Sequence, residues 1–391
     1  MYTNILIPAI GVEIYKKISN LWHNDLPNIK LKVYVIGNGW GAYHFVKTLD
    51  KRKYYPIIIA PNSKVLDTTK LTKLVIKPNI KVELENPYYA EYIKDMVEDI
   101  DYSNKKIILK SGTKLDYKYN YIVMSIGSEP NDFNIPGVES HTYKLRTISD
   151  ANVLREKINS LLINSQINII GSGVSGIELG TNLNYLGNKI KIIEGLDSIL
   201  YGYNSNTKQK ILSKIESLYP NININLNTMV MSINKSNELT KELRTLNKKN
   251  DTLSSTLLDN SSIIIWTGGV RFNGYNKTTL FNTLNQITPI KPRGLDVNLD
   301  FTIGNHSNIY CIGDMVANAG PSSAQNAKLQ AEWLGKYFNS EFDKKYVETN
   351  KFESNITTKL VHLNQYIWLE SKYYSGFIPR FMDKIIGWTN K

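Results

Sequence analysis

Two glycine-rich turns constrain the fold of this chain more than any other feature. Residues 31–47 read LKVYVIGNGWGAYHFVK, and residues 166–182 read QINIIGSGVSGIELGTN. In each stretch a short apolar strand passes through closely spaced glycines into a helical pattern. This strand–turn–helix order is typical of the βαβ unit that binds a dinucleotide. The sequence therefore predicts an α/β fold with two Rossmann-like domains.

The first turn lacks one part of the dinucleotide pattern. Gly37 permits the tight turn, Gly39 lets a pyrophosphate approach the backbone, and Ala42 permits close packing of helix on strand. The amino terminus of the helix then offers free N–H groups to the phosphates. However, the second strand, YPIIIA at 55–60, ends without the expected Asp or Glu. An adenosine ribose bound here must be held in another way.

The second turn carries the complete pattern. Gly171, Gly173 and Gly176 form G-x-G-x-x-G, and Glu194 ends the following strand. A carboxylate at that position binds the ribose 2′-hydroxyl and repels a 2′-phosphate. No Lys or Arg follows in GLDSIL, so this turn predicts NAD(H) in preference to NADP(H). The alternative for both turns is that the glycines serve only the backbone geometry.

Three other predicted strands end in small or acidic residues. They lie in the stretches 121–138, 262–270 and 308–338 and end at Gly127, at Gly268 and at the pair Gly313–Asp314. An aspartate directly after a strand can bind a ribityl or ribose hydroxyl, and it can also simply cap a turn. We expect these strand ends to contribute to the dinucleotide sites.

The composition excludes several kinds of site. The chain has one cysteine, Cys311, so neither an intrachain disulfide nor a dithiol redox centre can form, and no metal site is predicted. The 47 Lys and Arg exceed the 35 Asp and Glu, giving a net charge of +12. No basic stripe or RNA-binding motif accompanies this charge, so no nucleic-acid partner is predicted. No stretch reaches the roughly 18–20 apolar residues that span a bilayer.

Taken together, these motifs resemble the type II NADH dehydrogenases, single-subunit flavoproteins that do not pump protons. GNGWGA, which includes Trp40 and Gly41, matches the family's G-x-G-W-G-A, and SIGSEPNDFNIPGV resembles A-V-G-x-E-P-N-x-F-x-I-P-G-V. GSGVSGIELG resembles the family's second loop, YCIGD its flavin-binding I-G-D, and PSSAQNAKLQ its quinone-side segment. The resemblance extends over residues 30–340.

The resemblance implies that an NAD domain is inserted into an FAD domain. The chain then divides into an N-terminal extension (1–30), the first part of the FAD-binding domain (31–150), the NAD(H)-binding domain (151–288), the second part of the FAD-binding domain (289–340) and a C-terminal strand and helix region (341–391).

The resemblance also implies an enzyme with two cofactors, in which a hydride passes from NADH to FAD and two electrons then pass to a quinone. The residues implied for FAD are Gly37, Gly39, Trp40, Gly41, Ala42, Gly127, Gly313 and Asp314. Those implied for NADH are Gly171, Gly173, Gly176, Glu194 and Gly268. Two residues are candidates for catalysis. Glu178 would face the nicotinamide, and its alternative is a helix residue that faces solvent. Gln325 would lie by the flavin or the acceptor, and its alternative is a polar residue at the beginning of a helix.

Two stretches depart from the family and weaken the quinone assignment. The family's quinone-side motif is A-Q-x-x-x-Q, but here Leu329 occupies the second Gln position and Gln330 follows it. One residue turns a helical side chain by about 100°. The segment 61–75, PNSKVLDTTKLTKLV, is polar and basic where the family has an aromatic, Pro- and Leu-rich loop. The polar segment 234–261 is expected to be a surface insertion, partly helical or mobile.

The C-terminal region predicts two strands, at 358–363 and 365–371, and then an amphipathic helix. Beginning at Pro379, this helix places Phe381, Met382, Ile385 and Ile386 on one face. The family resemblance implies a surface here that docks on a membrane and meets the quinone; the alternative is a helix that packs on the protein core or on a second subunit in a homodimer. In the N-terminal extension, Ile14, Ile18, Leu21 and Trp22 also share one helical face.

Three functions remain open from the sequence. The first is a membrane-peripheral NADH:quinone oxidoreductase. The second is a soluble reductase of the same fold that passes electrons to a protein or a small molecule. The third is a weakly active flavoprotein whose nucleotide state controls partner binding. A peripheral membrane site, the cytoplasm and, in a eukaryote, the mitochondrial inner membrane all agree with the sequence.

Overall fold

The structure is a computed structural model. It describes residues 30–162, 165–259, 262–274, 277–354, 360–363, 366–369 and 372–374. The predicted helical face near residue 14 and the predicted helix beginning at Pro379 lie outside the described residues.

The helices within these ranges are α1 (Trp40–Thr48), α2 (Leu71–Ile76), α3 (Val138–His141), α4 (Ile148–Asn159), α5 (Val174–Tyr185), α6 (Ser205–Leu218), α7 (Thr279–Ile287), α8 (Ala324–Asn339) and α9 (Lys344–Thr349). Short 3₁₀ turns lie at Thr68–Lys70 and Gly313–Met315.

The strands of the first half are β1 (Leu31–Ile36), β2 (Tyr54–Ala60), β3 (Val65–Leu66), β4 (Glu83–Leu84), β5 (Glu91–Lys94), β6 (Val97–Asp101), β7 (Lys106–Leu109), β8 (Lys114–Asp116), β9 (Tyr121–Met124), β10 (Ser128–Pro130), β11 (Gln166–Ile170) and β12 (Lys189–Ile193). Those of the second half are β13 (Ile222–Asn225), β14 (Thr228–Lys235), β15 (Thr240–Asn247), β16 (Thr252–Asp259), β17 (Ile263–Trp266), β18 (Val270–Phe272), β19 (Ile290–Lys291), β20 (Gly294–Leu295), β21 (Thr302–Ile303), β22 (His306–Cys311), β23 (Leu360–Leu363), β24 (Tyr366–Leu369) and β25 (Lys372–Tyr374).

The described chain forms two compact units. The first comprises residues 30–65, Leu84–Gly127 and Phe272–Ser354. The second comprises Leu66–Glu83, Ser128–Arg271 and the strands that begin at Leu360. These divisions differ from the boundaries expected at 150 and 289, and they assign residues 66–83 to the second unit because α2 packs there against α4 and α5.

A six-stranded sheet organises the first unit, in the order β21-β22-β9-β1-β2-β5. Strand β1 runs parallel to β2 and β9, so that Ile36 pairs with Ile59 on one side and Met124 on the other. Alternate residues of β1 enter separate apolar clusters, Tyr34 in one and Val35 in the other. The central strands are therefore buried on both faces, as parallel strands are in a doubly wound sheet.

A four-stranded parallel sheet, β13-β12-β11-β17, organises the second unit. Its strands also feed two clusters in alternation, with Ile169 in one and Ile170 in the other. The helices α4, α5 and α6 contribute to the first cluster, and the strands β14–β16 contribute to the second. The predicted α/β fold with two Rossmann-like sheets is confirmed.

The prediction for the segment 234–261 is wrong within its described residues. Instead of a mobile or helical insertion, β14, β15 and β16 form an antiparallel sheet. Alternation along the strands explains the error. Leu243 and Leu258 point into the core, whereas Leu253 and Leu257 are exposed among polar residues.

After residue 354 the described segments β23, β24 and β25 form an antiparallel sheet, which agrees with the two strands predicted there. Val361 and Leu363 are buried in the core of the second unit. Within the described residues, none of the helices combines the length and the apolar character needed to cross a bilayer.

Candidate dinucleotide sites

The two glycine turns have the same geometry. In the first unit Gly37 has a φ of +107°, and a Cβ there would lie 2.2 Å from the Ser125 carbonyl oxygen. In the second unit Gly171 has a φ of +104°, and its Cβ would lie 2.6 Å from the Thr267 oxygen. Only glycine accepts both the backbone conformation and the crowding at these positions.

The middle glycines behave differently. Gly39 has a φ of −96° and Gly173 a φ of −64°, which any residue can adopt. No other part of the chain lies within 4 Å of a Cβ built at either position. Neither backbone strain nor packing within the protein therefore requires glycine here. Open space in front of the backbone is what a pyrophosphate needs to approach it.

Each middle glycine is also the N-cap of a helix. Gly39 precedes α1 and Gly173 precedes α5, and neither helix has a side-chain cap or an acidic residue in its first turn. The free N–H groups and the positive end of the helix dipole therefore favour an external anion. The open space and the helix termini both fit the phosphates of a dinucleotide, at one site in each unit.

Other residues of the first turn pack against the sheet. Ala42 is fully buried, and a Cβ on Gly41 would lie 2.5 Å from Ser125 Oγ. Trp40 is buried and stacks on His44, with the ring centroids 5.2 Å apart. Burial, reinforced by Lys328 and Lys47, lowers the pKa of His44 to about 3, so this imidazole is neutral at physiological pH.

The FAD candidates near residue 313 lie on a tight turn. Gly313 has a φ of +82° and begins the 3₁₀ turn that contains Asp314. The Gly313 N–H donates to Gln330 Oε1 at 2.6 Å, and Gln330 Nε2 donates to the Ala319 oxygen at 2.9 Å. Gln330 is fully buried on α8. Gln330 thus supports the turn that carries Asp314.

This arrangement settles where the displaced glutamine points. Both ends of the Gln330 amide make hydrogen bonds inside the first unit, to the Gly313 N–H and the Ala319 oxygen. Leu329 occupies the position of the family's second quinone-side Gln and is partly buried. Gln325 lies in the first turn of α8, whose N-cap Ser323 accepts from the Asn326 N–H at 3.2 Å. Gly127 has a φ of +74°, with open space where its Cβ would lie.

In the second unit, Glu194 is bonded to the glycine turn itself. Its Oε2 accepts from the Ser172 N–H at 2.8 Å and from Ser172 Oγ at 2.7 Å, and its Oε1 accepts from the Leu196 N–H at 2.9 Å. A carboxylate offers about four acceptor positions, so one on Oε1 remains for a ribose hydroxyl. Glu194 therefore fixes the glycine turn, and its predicted role on the ribose hydroxyl stays a prediction.

Glu178 does not face solvent, which removes one of its two interpretations. It lies on α5, only 6% exposed, and Thr72 Oγ1 donates to its Oε2 at 3.2 Å. Burial raises the pKa of the Tyr203 phenol, and the nearby charge of Glu178 raises it further. Thr72 comes from the segment whose polar character departs from the family. The role of Glu178 toward a nicotinamide stays a prediction.

Gly268 lies on the turn after β17, where a Cβ would meet the Trp266 ring at 3.0 Å. The sequence did not predict two contacts at the candidate sites, that of Thr72 with Glu178 and that of Gln330 with the Gly313 turn. Gln330 alone had a sequence signal, its one-residue shift from the family's motif. Within the described residues, no group of His, Cys, Asp and Glu side chains could hold a metal ion.

Comparisons with known proteins agree with this geometry. A mitochondrial external NADH-ubiquinone oxidoreductase 2 of Saccharomyces cerevisiae is 24% identical over 91% of this chain and 71% of its own length. A probable mitochondrial NADH-ubiquinone oxidoreductase of Schizosaccharomyces pombe is 24% identical over 84% of this chain and 66% of its own length. The chain thus spans about two thirds of the length of these curated relatives.

Among solved structures, NDH2 of Plasmodium falciparum in complex with NADH matches with a TM-score of 0.74 and 19% identity, covering 91% of this chain and 94% of that one. At this identity the match shows the fold. The resemblance to type II NADH dehydrogenases is confirmed by the curated relatives. The family model for pyridine nucleotide-disulphide oxidoreductases matches residues 31–331. The chain belongs to the pyridine nucleotide-disulphide oxidoreductase family.

Proposed function

We propose that this protein is an FAD-dependent NADH oxidoreductase that passes two electrons to a quinone. The observation that carries the proposal is the pair of open glycine positions, Gly39 and Gly173, each at the amino terminus of a helix in its own parallel sheet. Two dinucleotide sites in one chain of this family provide for a hydride donor and a flavin.

The division of roles follows the residues of each unit. The first unit binds FAD through the turn Gly37–Ala42 and the turn that carries Asp314. The second binds NADH through Gly171–Gly176, with Glu194 on the ribose, which favours NADH over NADPH. When bound, FAD supplies the redox chemistry, since it takes a hydride from NADH and passes on electrons singly or in pairs.

The remaining residues position groups and exclude water. The carboxylate of Glu178 is buried and held by Thr72, so it is available to hold or exchange a proton away from bulk water. We assign Gln325 to the flavin or acceptor side. No side-chain nucleophile is needed for this reaction, and no thiol takes part, because Cys311 is the single cysteine of the chain and is fully buried.

The curated relatives, which are named NADH-ubiquinone oxidoreductases, support the choice of a quinone acceptor. The substitution by Leu329 and the internal use of Gln330 leave a second candidate, a reductase of the same fold with a protein or small-molecule acceptor. A nucleotide-dependent interaction protein with weak turnover is less well supported. We further propose a peripheral position at the mitochondrial inner membrane, through the C-terminal segment and as a homodimer.

Absorbance spectroscopy of the purified protein tests the proposal. Flavin bands that NADH bleaches without oxygen, and that a soluble quinone restores, are the expected result. Absence of bound flavin, or flavin that NADH does not bleach, would overturn the oxidoreductase assignment. Bleaching without reoxidation by quinone would support the second candidate instead. Flotation with liposomes, with and without residues 376–391, tests the membrane contact, which unchanged binding would refute.

A further inference from the structure

The segment Ser128–Gly137 lies in the second unit and has no role in the sites above, although it contains a very specific match to the family. Arg271 on β18 reaches this segment with two nitrogens. Its Nε lies 2.9 Å from Glu129 Oε1, and its Nη1 lies 2.9 Å from Asp132 Oδ1. The Arg271 side chain is only 11% exposed, so its charge is largely removed from water and depends on these two carboxylates.

Asn131, which lies between Glu129 and Asp132 in the sequence, links this segment to the turn after β17. Its N–H donates to the Gly269 oxygen at 3.0 Å, and its carbonyl oxygen accepts from Trp266 Nε1 at 2.8 Å. Trp266 is 4% exposed and ends β17, the strand that pairs with β11 before the glycine turn. Two hydrogen bonds from one residue thus attach the segment to both sides of the turn Trp266–Gly269.

That turn forms one wall of the glycine loop. The Thr267 N–H donates to the Ile170 oxygen at 2.8 Å, and Thr267 Oγ1 donates to the Gly171 oxygen at 3.0 Å. A Cβ on Gly176 would lie 2.9 Å from Thr267 Oγ1. The loop and the turn therefore touch without free space, so a displacement of the turn is passed on to the loop.

From this continuous path we infer that Arg271 is a positioning residue for NADH, acting through Asn131 and the turn Trp266–Gly269 on the loop Gly171–Gly176. The inference rests on the proposed function, since it concerns the pyrophosphate site of the second unit. The fixed fork of a guanidinium holds Glu129 and Asp132 at a set separation, which a lysine cannot do.

A merely structural role would lower stability and leave nucleotide affinity unchanged, so the two roles are separable. We choose Arg271→Met and Arg271→Lys, with Arg244→Met as the matched control. Arg244 lies in the same unit and pairs with Glu242 at 3.1 Å, but its side chain is 57% exposed and its acidic partner lies on the same strand, β15. Calorimetric titration with ADP-ribose measures the site without reducing the flavin.

We expect Arg271→Met to raise the Kd of ADP-ribose and the KM of NADH by about tenfold or more, because a loop displaced by a fraction of an ångström loses its aligned N–H groups. The turnover number and FAD content stay unchanged, Arg271→Lys gives a smaller effect, and Arg244→Met gives none. Hydrogen exchange at residues 171–176 and 267–269 rises in Arg271→Met and stays as in the parent protein in Arg244→Met.

Unchanged exchange at the loop, or an unchanged Kd, in Arg271→Met would overturn the inference. Should that variant not fold, Trp266→Phe decides, since it removes the N–H donated to Asn131 together with part of the buried ring; a parental Kd in Trp266→Phe would then overturn the inference. Failure of the parent protein to bind ADP-ribose would overturn the proposed NADH site and, with it, this role. If the parent protein binds ADP-ribose normally and hydrogen exchange at the loop is unchanged in Arg271→Met, the role of Arg271 is refuted and the proposed NADH site is not.

Discussion

Replacing Gly173 with valine separates the two dinucleotide sites most sharply. Its φ of −64° and ψ of 179° suit valine, and no other part of the chain lies within 4 Å of the new Cβ. Because glycine is much preferred over valine at an N-cap, the free energy of unfolding should fall by about 1 kcal/mol. The side chain instead fills the space that a pyrophosphate would occupy.

The effect on binding follows from the hydrogen bonds lost. If the displaced phosphate loses two charged hydrogen bonds to loop N–H groups, at about 1.5–3 kcal/mol each, affinity falls by about 3–6 kcal/mol. The Kd for NADH then rises roughly 10²- to 10⁴-fold. Gly39→Val is the matched control, because its geometry is equivalent but its site lies in the other unit.

Anaerobic stopped-flow spectroscopy measures the rate of flavin bleaching against NADH concentration. Gly173→Val should retain FAD and reach bleaching only at far higher NADH concentrations, whereas Gly39→Val should be purified without FAD. Thermal unfolding verifies that both variants fold. If folded Gly173→Val bleaches its flavin at the same NADH concentrations as the parent protein, the space in front of Gly173 does not hold the pyrophosphate.

Three further predictions use the buried polar contacts. Gln330→Leu removes the acceptor of the Gly313 N–H, and leaving that buried donor unpaired should lower the free energy of unfolding by about 1–3 kcal/mol. Because the turn that carries Asp314 then loses its support, FAD binding should weaken as well; equilibrium dialysis that gives a parental FAD Kd would contradict this. Thr72→Val removes one donor to Glu178 and should lower the rate of NADH-dependent flavin reduction while FAD content stays constant; a parental rate would show that Thr72 does not act on Glu178 in this reaction. The lowered pKa of His44 means that the unfolded chain binds the proton first, so this residue should stabilise the fold above about pH 6.5 and lose its contribution as the pH falls toward 3. His44→Gln should flatten that dependence in urea titrations between pH 5 and 7.5, and an equally steep loss of stability in the variant would rule His44 out as its source.

The glycine turns were predictable because their requirements are local. The crowding at Gly37 and Gly171 arises wherever a parallel strand turns sharply into a helix, and the sequence shows the apolar strand, the spacing and the helix together. The same applies to the fold class. Apolar strands of four to seven residues such as β1 and β17 indicate burial on both faces without reference to any partner.

The predictions that failed concern residues whose positions depend on partners far away in the sequence. The segment 234–261 is rich in Lys, Asn and Ser, and its strands bury only one face, so composition outweighed the alternation that places Leu243 and Leu258 inside. The position of Gln330 suggested a misplaced quinone ligand, yet its amide is used by Gly313, which is seventeen residues away. No local pattern predicts that Thr72 lies beside Glu178.

The interleaved order of the two units has a consequence for biosynthesis. In the first sheet β9 pairs with β22, and the core strands of the second unit are translated between them. A nascent chain therefore exposes an unpaired edge of β9 until His306–Cys311 leaves the ribosome, while the sheet of the second unit can already close. We expect the second unit to fold first, and truncation before residue 306 to yield a protein that aggregates through that edge.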